Sequence, residues 1–197
     1  MNPFRNGRDA GQAFPIYITV VGGLLFLALA YFAVGQAAAT RSEAQTAADA
    51  AALAAALETR DQLAAQWLEN VTKPDTWQDI FDGKAVVSSA CWRAQELAAS
   101  NDASVSCQPD GPLGYSVVAE TNGTVGDTIV PGTERQRATE SATAVIEPRC
   151  TFDLPGEDAG DDVLPGLSCK GEEWDLDPDD LLDLPKPEDL FDVHLAD

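Results

Sequence analysis

Four cysteines are the residues in this sequence with the most specific chemistry. They are Cys91, Cys107, Cys150 and Cys169. Structural zinc sites use closely spaced cysteine and histidine pairs, whereas this chain has no CxxC pair and one histidine, His194. We therefore predict two disulfides. Four cysteines allow three pairings, and loop closure favours the sequential one, Cys91 with Cys107 and Cys150 with Cys169, because shorter loops close more easily.

A run of carboxylates near the end of the chain is the second candidate for chemistry. It consists of Asp175, Asp177, Asp179 and Asp180. Alternating carboxylates can converge on calcium. A calcium loop also needs a glycine at its sixth position and a bidentate glutamate at its twelfth, and here the run has no such glycine and Lys186 replaces the glutamate. We predict a solvated acidic run and no metal site.

No pattern in the sequence supports catalysis. GxSxG, GxxxxGK[ST] and HExxH are all absent, and His194 has no serine or cysteine constellation around it in the sequence. The chain carries 33 acidic and 12 basic residues, so binding to nucleic acid or to an anionic lipid surface is improbable. We expect no enzyme, no cofactor and no small-molecule substrate.

The element that must position these residues is an uncharged apolar run at residues 14–34. Its 21 residues are long enough, as a helix, to cross a hydrocarbon core of about 30 Å. Arg5 and Arg8 precede the run and Arg41 is the first basic residue after it. The positive-inside rule then predicts a cytoplasmic N-terminus, with all four cysteines on the oxidising side of the membrane.

A cleaved signal peptide is the alternative interpretation of this run. Residues 37–39 are three alanines that satisfy a small-residue cleavage rule, and the N-terminus is basic. Signal peptides have an apolar region of about 7–15 residues, which is shorter than this run. We therefore favour a retained membrane anchor.

The helix should continue well beyond the membrane. Residues 35–71 contain no proline and are rich in alanine and leucine, which have high helix propensity. A helix over residues 12–71 would be about 90 Å long. It would present two faces, an apolar stripe of Leu53, Leu57, Ala64, Leu68 and Val71 that could meet a partner or the chain's own domain, and a flatter alanine surface.

Small residues along this helix are candidates for helix packing, because they let a second helix approach closely. In the apolar run and just after it they are Gly22, Gly23, Gly35 and Ala39. Farther along the helix we include Ala47, Asp49, Ala51 and Leu53. Asp49 interrupts the alanine surface, either as a solvated position or as a charge that fixes the register of packed helices.

After the helix, the sequence predicts a small α+β module. Residues 83–100 have helical spacing, and residues 104–108, 115–120 and 137–146 have the pattern of short antiparallel strands. Residues 147–197 hold 17 acidic and 3 basic residues and several prolines, so little regular structure is expected there, although apolar residues could let parts of it strap across the module.

We therefore divide the chain into four regions. Residues 1–11 form a cytoplasmic leader and residues 12–72 form the transmembrane helix and its alanine-rich stalk. Residues 73–150 form the extracytoplasmic α+β module, and residues 151–197 form an acidic, proline-rich C-terminal segment.

The N-terminal quarter of the chain resembles a known family. The string AQTAADAAALAAA at residues 44–56, which follows a single membrane helix, is similar to the signature of the Tad-like N-terminal domain of TadE/TadG-like proteins in the Flp (tight adherence) pilus system. The resemblance covers residues 8–57. It implies prepilin-like cleavage between Gly11 and Gln12, although Ile16 stands where prepilins have a glutamate.

The resemblance and the helix pattern together predict a pilin-like minor subunit or a membrane-anchored assembly component. It would be a single-pass protein of the bacterial cell membrane, with other pilin-like or Tad assembly subunits as partners, including copies of itself. The alternative is a membrane-tethered binding module that captures calcium, a wall component or a protein.

Overall fold

A computed structural model describes residues 13–124, 135–154, 164–177 and 184–196. Its first element is one helix, α1, which runs without interruption over Ala13–Glu69. Its 57 residues correspond to a length of about 85 Å. The prediction of a long N-terminal apolar helix is confirmed. The helix ends shortly before Pro74, as expected because proline disfavours helical geometry in the residue that precedes it.

The rest of the described chain forms an exterior module, which we define as the described residues from 74 to 196. A short 3-10 turn at Pro74–Thr76 leads into α2 (Trp77–Phe81), which is followed by α3 (Cys91–Ser100). A fourth short helix, α4, covers Pro187–Leu190. The seven strands are β1 Ala103–Pro109, β2 Gly114–Thr121, β3 Thr139–Pro148, β4 Cys150–Phe152, β5 Leu167–Cys169, β6 Glu172–Trp174 and β7 Phe191–Leu195. The α+β class is confirmed.

The larger sheet has four antiparallel strands in the order β1-β2-β3-β7. Cys107 is opposite Val117, and Tyr115 is opposite Ala144. Because alternate residues of a strand point to opposite faces, this register places Tyr115, Val117 and Ala144 on one buried face. That face and α3 cover α1. A smaller sheet, β4-β5-β6, follows at the end of β3.

The predicted helix over residues 83–100 is wrong in its first half, since α3 begins at Cys91. Gly83 has φ +70°, which an ordinary residue in a helix does not adopt. Beyond it, the backbone N–H of Ser88 donates to Gln62 Oε1 at 2.8 Å and that of Ala90 donates to the Tyr115 hydroxyl at 3.2 Å. These contacts with distant residues replace the hydrogen bonds of a first helical turn.

The expectation of little regular structure after residue 150 is also wrong for the described residues. They contribute strands to both sheets, and β7 completes the larger one along β3. Leu167, Leu190 and Phe191 are almost fully buried. Ordering this segment costs conformational entropy, and its polar, proline-rich composition does not favour folding. Burial of these apolar side chains offsets that cost.

The core lies between α1 and the exterior module, and the alanine surface of α1 forms one side of it. The members of this surface with no exposure are Ala44, Ala47, Ala48, Ala51, Ala52, Ala55 and Ala56. The apolar stripe expected to act as one face is divided: Ala64 and Val71 are buried, whereas Leu57 and Leu68 are exposed. The chain's own sheet therefore covers the alanine surface, because small side chains let the strands come close to the helix.

Candidate functional site on the long helix

The N-terminal part of α1 is apolar on every side and contacts no other part of the described chain. Exposed side chains include Phe14, Leu24 and Tyr31, which is 82% exposed. Phe14–Glu69 is the one helix among the described residues that is long and apolar enough to cross a membrane. A helix that is hydrophobic all round requires apolar surroundings, which a bilayer or neighbouring helices would supply.

The glycines predicted to pack against other helices are open to such neighbours. A Cβ atom built at Gly22, Gly23 or Gly35 would have no heavy atom within 4 Å. Ala39 is exposed as well, and it shares a face with Gly35 because the two are one helical turn apart. Gly35 and Ala39 thus form one face of small side chains that a second helix could approach closely, and Gly22 and Gly23 are a separate place of small side chains deeper in the apolar run.

Ala47 and Ala51 occupy a different environment. Both have no exposure and lie in the core under the module. The surface that we predicted for contacts between chains therefore packs against the chain's own module. Leu53 is half-buried and packs at the edge of this core. The structure therefore separates the predicted packing residues into an exposed set and an internal set.

Asp49 lies at the border between these two sets. It is half-buried, and its Oδ1 accepts a hydrogen bond of 2.7 Å from Gln45 Nε2. Both side chains line an open cavity of about 430 Å³ together with Ser141 and Thr143 of β3. The carboxylate is thus hydrogen-bonded at the junction of helix and sheet, and its role in the register between chains stays a prediction.

Two polar contacts that hold the module on α1 were missed by the sequence reasoning. Arg41 Nε donates to Glu140 Oε1 at 2.5 Å, and the Thr59 and Tyr115 hydroxyls are 2.8 Å apart in the buried interface. The available signal was Thr59 itself, a polar residue within an alanine and leucine stretch. Its partner could not be identified from spacing, because the two residues are 56 positions apart.

The disulfides fasten the exterior module at two places. Cys91 and Cys107 join the start of α3 to β1, and Cys150 and Cys169 join β4 to β5. This is the sequential pairing. Both bonds are internal to the module, so they restrain its unfolded chain without tying it to α1.

The remaining candidate residues are partly described. Asp175 and Asp177 are in the structure, whereas Asp179, Asp180 and the candidate cleavage pair Gly11 and Gln12 lie outside the described residues. Within the described part of the chain, no group of three His, Cys, Asp or Glu side chains is arranged to hold a metal ion.

His194 lies on β7 between two carboxylates. Its Nδ1 is 3.5 Å from Asp192 Oδ2 and its Nε2 is 3.9 Å from Glu147 Oε1. Both carboxylates are on the outer side of the larger sheet, since Asp192 and Glu147 are opposite each other in the register. With all three side chains more than a third exposed, this is a surface charge cluster.

The comparison with known families bears on the helix itself. Residues 11–60 match the model of the Tad family, described as "Putative Flp pilus-assembly TadE/G-like". Residues 11–60 are thus similar to a TadE/G-like domain. No curated protein and no solved structure matches the chain. The TadE/G-like domain covers the exposed apolar part of α1 and most of its buried alanine surface, and it ends before the exterior module begins.

Proposed function

We propose that the protein is a pilin-like minor subunit or a membrane-anchored assembly component of a Tad/Flp-type pilus. It acts through lateral packing of α1 and has a structural role without catalysis. The observation that carries this proposal is the exposed apolar surface of residues 14–39, with open space beside each of its glycines. The TadE/G-like match over these residues supports association with Tad components, including other copies of the chain.

The same proposal includes location and orientation. The helix anchors the chain in the bacterial cell membrane, with the N-terminus in the cytoplasm and the module outside. Two disulfides in the module support this orientation, because disulfides persist in oxidising compartments.

Lateral packing is assigned to Gly22 and Gly23 within the apolar run and to the face of Gly35 and Ala39, which half-buried Leu53 extends beyond the membrane. Small side chains allow close backbone approach, which supports helix association in lipid, where there is little hydrophobic driving force between helices. A larger side chain at Gly35 or Ala39 should therefore push a neighbouring helix away while leaving the buried alanine surface unchanged.

The test places two leucines on the face of Gly35 and Ala39. Gly35→Leu/Ala39→Leu should reduce photo-crosslinking between subunits and the number of surface pili. The matched control is Ala33→Leu/Ala37→Leu, which has the same spacing but lies about 200° away around the helix. Equal pilus numbers for the two variants would contradict the assigned face, and unchanged pili after deletion of the protein would remove the pilus role itself.

Processing between Gly11 and Gln12 is a separate part of the proposal. The intact mass of protein taken from its native membrane distinguishes the two forms. A chain that starts at Gln12 supports a subunit that is extracted into a fibre, and a full-length chain supports a permanent membrane scaffold.

A further inference from the structure

The end of the exterior module nearest the membrane is fixed by two contacts with α1. We call it the near end, where β1 and β3 begin and where α3 and β2 end. Arg41 Nε donates to Glu140 Oε1 at the start of β3. Asn101, which follows α3, lines a cavity with Ala39 and Ser42. Two independent elements of the module therefore meet α1 at the level of residues 39–42.

This level is close to the bilayer surface. The apolar run ends at Val34, so Ala39 is about 7.5 Å and Arg41 about 10 Å farther along the helix axis. The headgroup layer of one leaflet is about 5–7 Å thick, as the difference between the hydrocarbon core and the whole bilayer indicates. Because α1 is continuous through these residues, no hinge separates the near end from the headgroups.

Charge is distributed unevenly along the module. Its near end presents three arginines, Arg41, Arg135 and Arg137, and the side chains of Arg41 and Arg137 are 75% and 48% exposed. Glu140 pairs with Arg41, and Glu120 pairs with Arg137 at 2.9 Å. The other carboxylates in the described part of the near end belong to Glu43 and Asp102, so the described groups there are three arginines and four carboxylates, which nearly balance.

The opposite end of the sheet carries most of the described acidic residues of the C-terminal segment. Glu147 and Asp192 face each other where β3 ends, and Glu172 and Glu173 follow in the smaller sheet. The total charge of −21 argues against attraction to anionic lipids. That objection does not extend to the near end, because most of the described acidic residues lie elsewhere and surface charges are screened beyond about 8 Å at physiological salt.

We propose that the near end contacts the lipid headgroup layer, with Arg41, Arg135 and Arg137 as the residues that bind lipid phosphates. A guanidinium group has five N–H donors in a planar fork that suits phosphate oxygens, and the carboxylate contacts of Arg41 and Arg137 use only part of that set. These contacts hold the long axis of the module along the bilayer normal and fix which of its faces is directed laterally, parallel to the membrane plane. The inference concerns the membrane-anchored form and does not depend on the pilus role.

A depth measurement on the full-length chain tests the contact. Gly123→Cys places a label at the near end, where a new Cβ has no heavy atom within 4 Å, and Thr72→Cys places one beyond the far end of α1. The four native cysteines are disulfide-bonded and do not compete for the label. In vesicles of phosphatidylcholine and phosphatidylglycerol with headgroup-spin-labelled lipid, fluorescence at residue 123 should be quenched several-fold more than at residue 72. Equal quenching would overturn the proposal.

The role of the arginines is tested by a matched pair of charge removals in the Gly123→Cys background. Arg135→Gln/Arg137→Gln removes two near-end charges, one of them paired with a carboxylate. Lys73→Gln/Lys84→Gln removes two charges from the far end, and Lys84 is likewise paired. The arginine variant should lose more than half of the extra quenching at residue 123 and the lysine variant should lose none, with near-UV circular dichroism showing that both are folded. Equal effects would reject the phosphate contacts.

Discussion

The two halves of α1 differ in side chains and have opposite surroundings. In the membrane half, residues 14–39, large apolar groups and glycines are exposed on all sides. In the clamped half, residues 44–69, one face is covered by the sheet and α3 so completely that seven alanines have no exposure. One helix therefore combines a segment that is long and apolar enough to cross a membrane with one side of a protein core.

Alanine contributes close packing to the clamped half. An alanine buries little apolar area, so its hydrophobic contribution is small compared with that of leucine. In the clamped half, the small alanine side chain lets the strands come close to the helix and pack on it without gaps. Larger side chains such as Leu63 and Trp67 fill the far end of the same interface, where Trp67 contacts Trp77 at a ring distance of 5.4 Å.

The largest expected effect comes from removing the clamped half. A chain that begins at Pro74 should not fold, because it loses the core residues between Ala47 and Val71, whereas a chain that begins at Arg41 should fold without the membrane half. Circular dichroism and protease resistance of the two secreted fragments would check this. A folded fragment from Pro74 onward would restore the boundary at residue 73 as that of an independent domain.

The next largest effect on stability is expected from a single charge in the buried alanine surface. Ala51→Lys should destabilise the module by about 3–5 kcal/mol, the cost of an uncompensated buried charge. Ala65→Lys on the exposed side of the clamped half should change stability by less than about 0.5 kcal/mol. Denaturant unfolding of the fragment from Arg41 would measure both, and similar values would mean that the alanine surface is not buried.

The buried polar contact within the clamped half should have an intermediate effect. The Tyr115 hydroxyl bridges Thr59 and the backbone N–H of Ala90, so Tyr115→Phe leaves two buried polar groups without this partner. We expect a loss of about 1–3 kcal/mol. Tyr17→Phe in the membrane half, where Tyr17 is exposed, is the control, and its unfolding midpoint should not move.

The smallest effect is expected at an exposed ion pair outside both halves. Hydrogen bonds from Lys84 and then Gln78 hold the pKa of Asp82 below its usual value. The folded state therefore binds this proton less readily than the unfolded state, and the contribution is present at neutral pH and lost as pH falls below about 4. Asp82→Asn should remove only a slight acid-dependent step from the stability profile, because both side chains are exposed.

Some parts of the fold depend on local sequence alone and were predictable. The helix follows from alanine and leucine without proline, and the first three strands follow from alternating patterns, with bounds within about two residues of those observed. The start of α3 was not predictable, because residues 83–90 have helical spacing but form an irregular segment that hydrogen-bonds to Gln62 and Tyr115 of distant elements.

For the candidate site, composition identified the small residues of α1 but not their surroundings. The glycines of the membrane half were identified from composition, and the structure leaves them open. Ala47 and Ala51 were assigned to the same task, but their surface is covered by β2 and β3. Periodicity identifies a face of a helix and does not identify what covers it.

The sequence by itself determined a continuous helix long enough to span a membrane and a disulfide-bonded α+β module after it. The helix and the disulfides depend on helix propensity, on the length of the apolar run and on cysteine spacing, all of which are properties of short stretches of chain. Only the tertiary structure decided which face of α1 is buried, that β7 from the acidic segment completes the sheet, and that Arg41 meets Glu140. These contacts join residues far apart in the chain, and their free energy arises only when several elements pack at once.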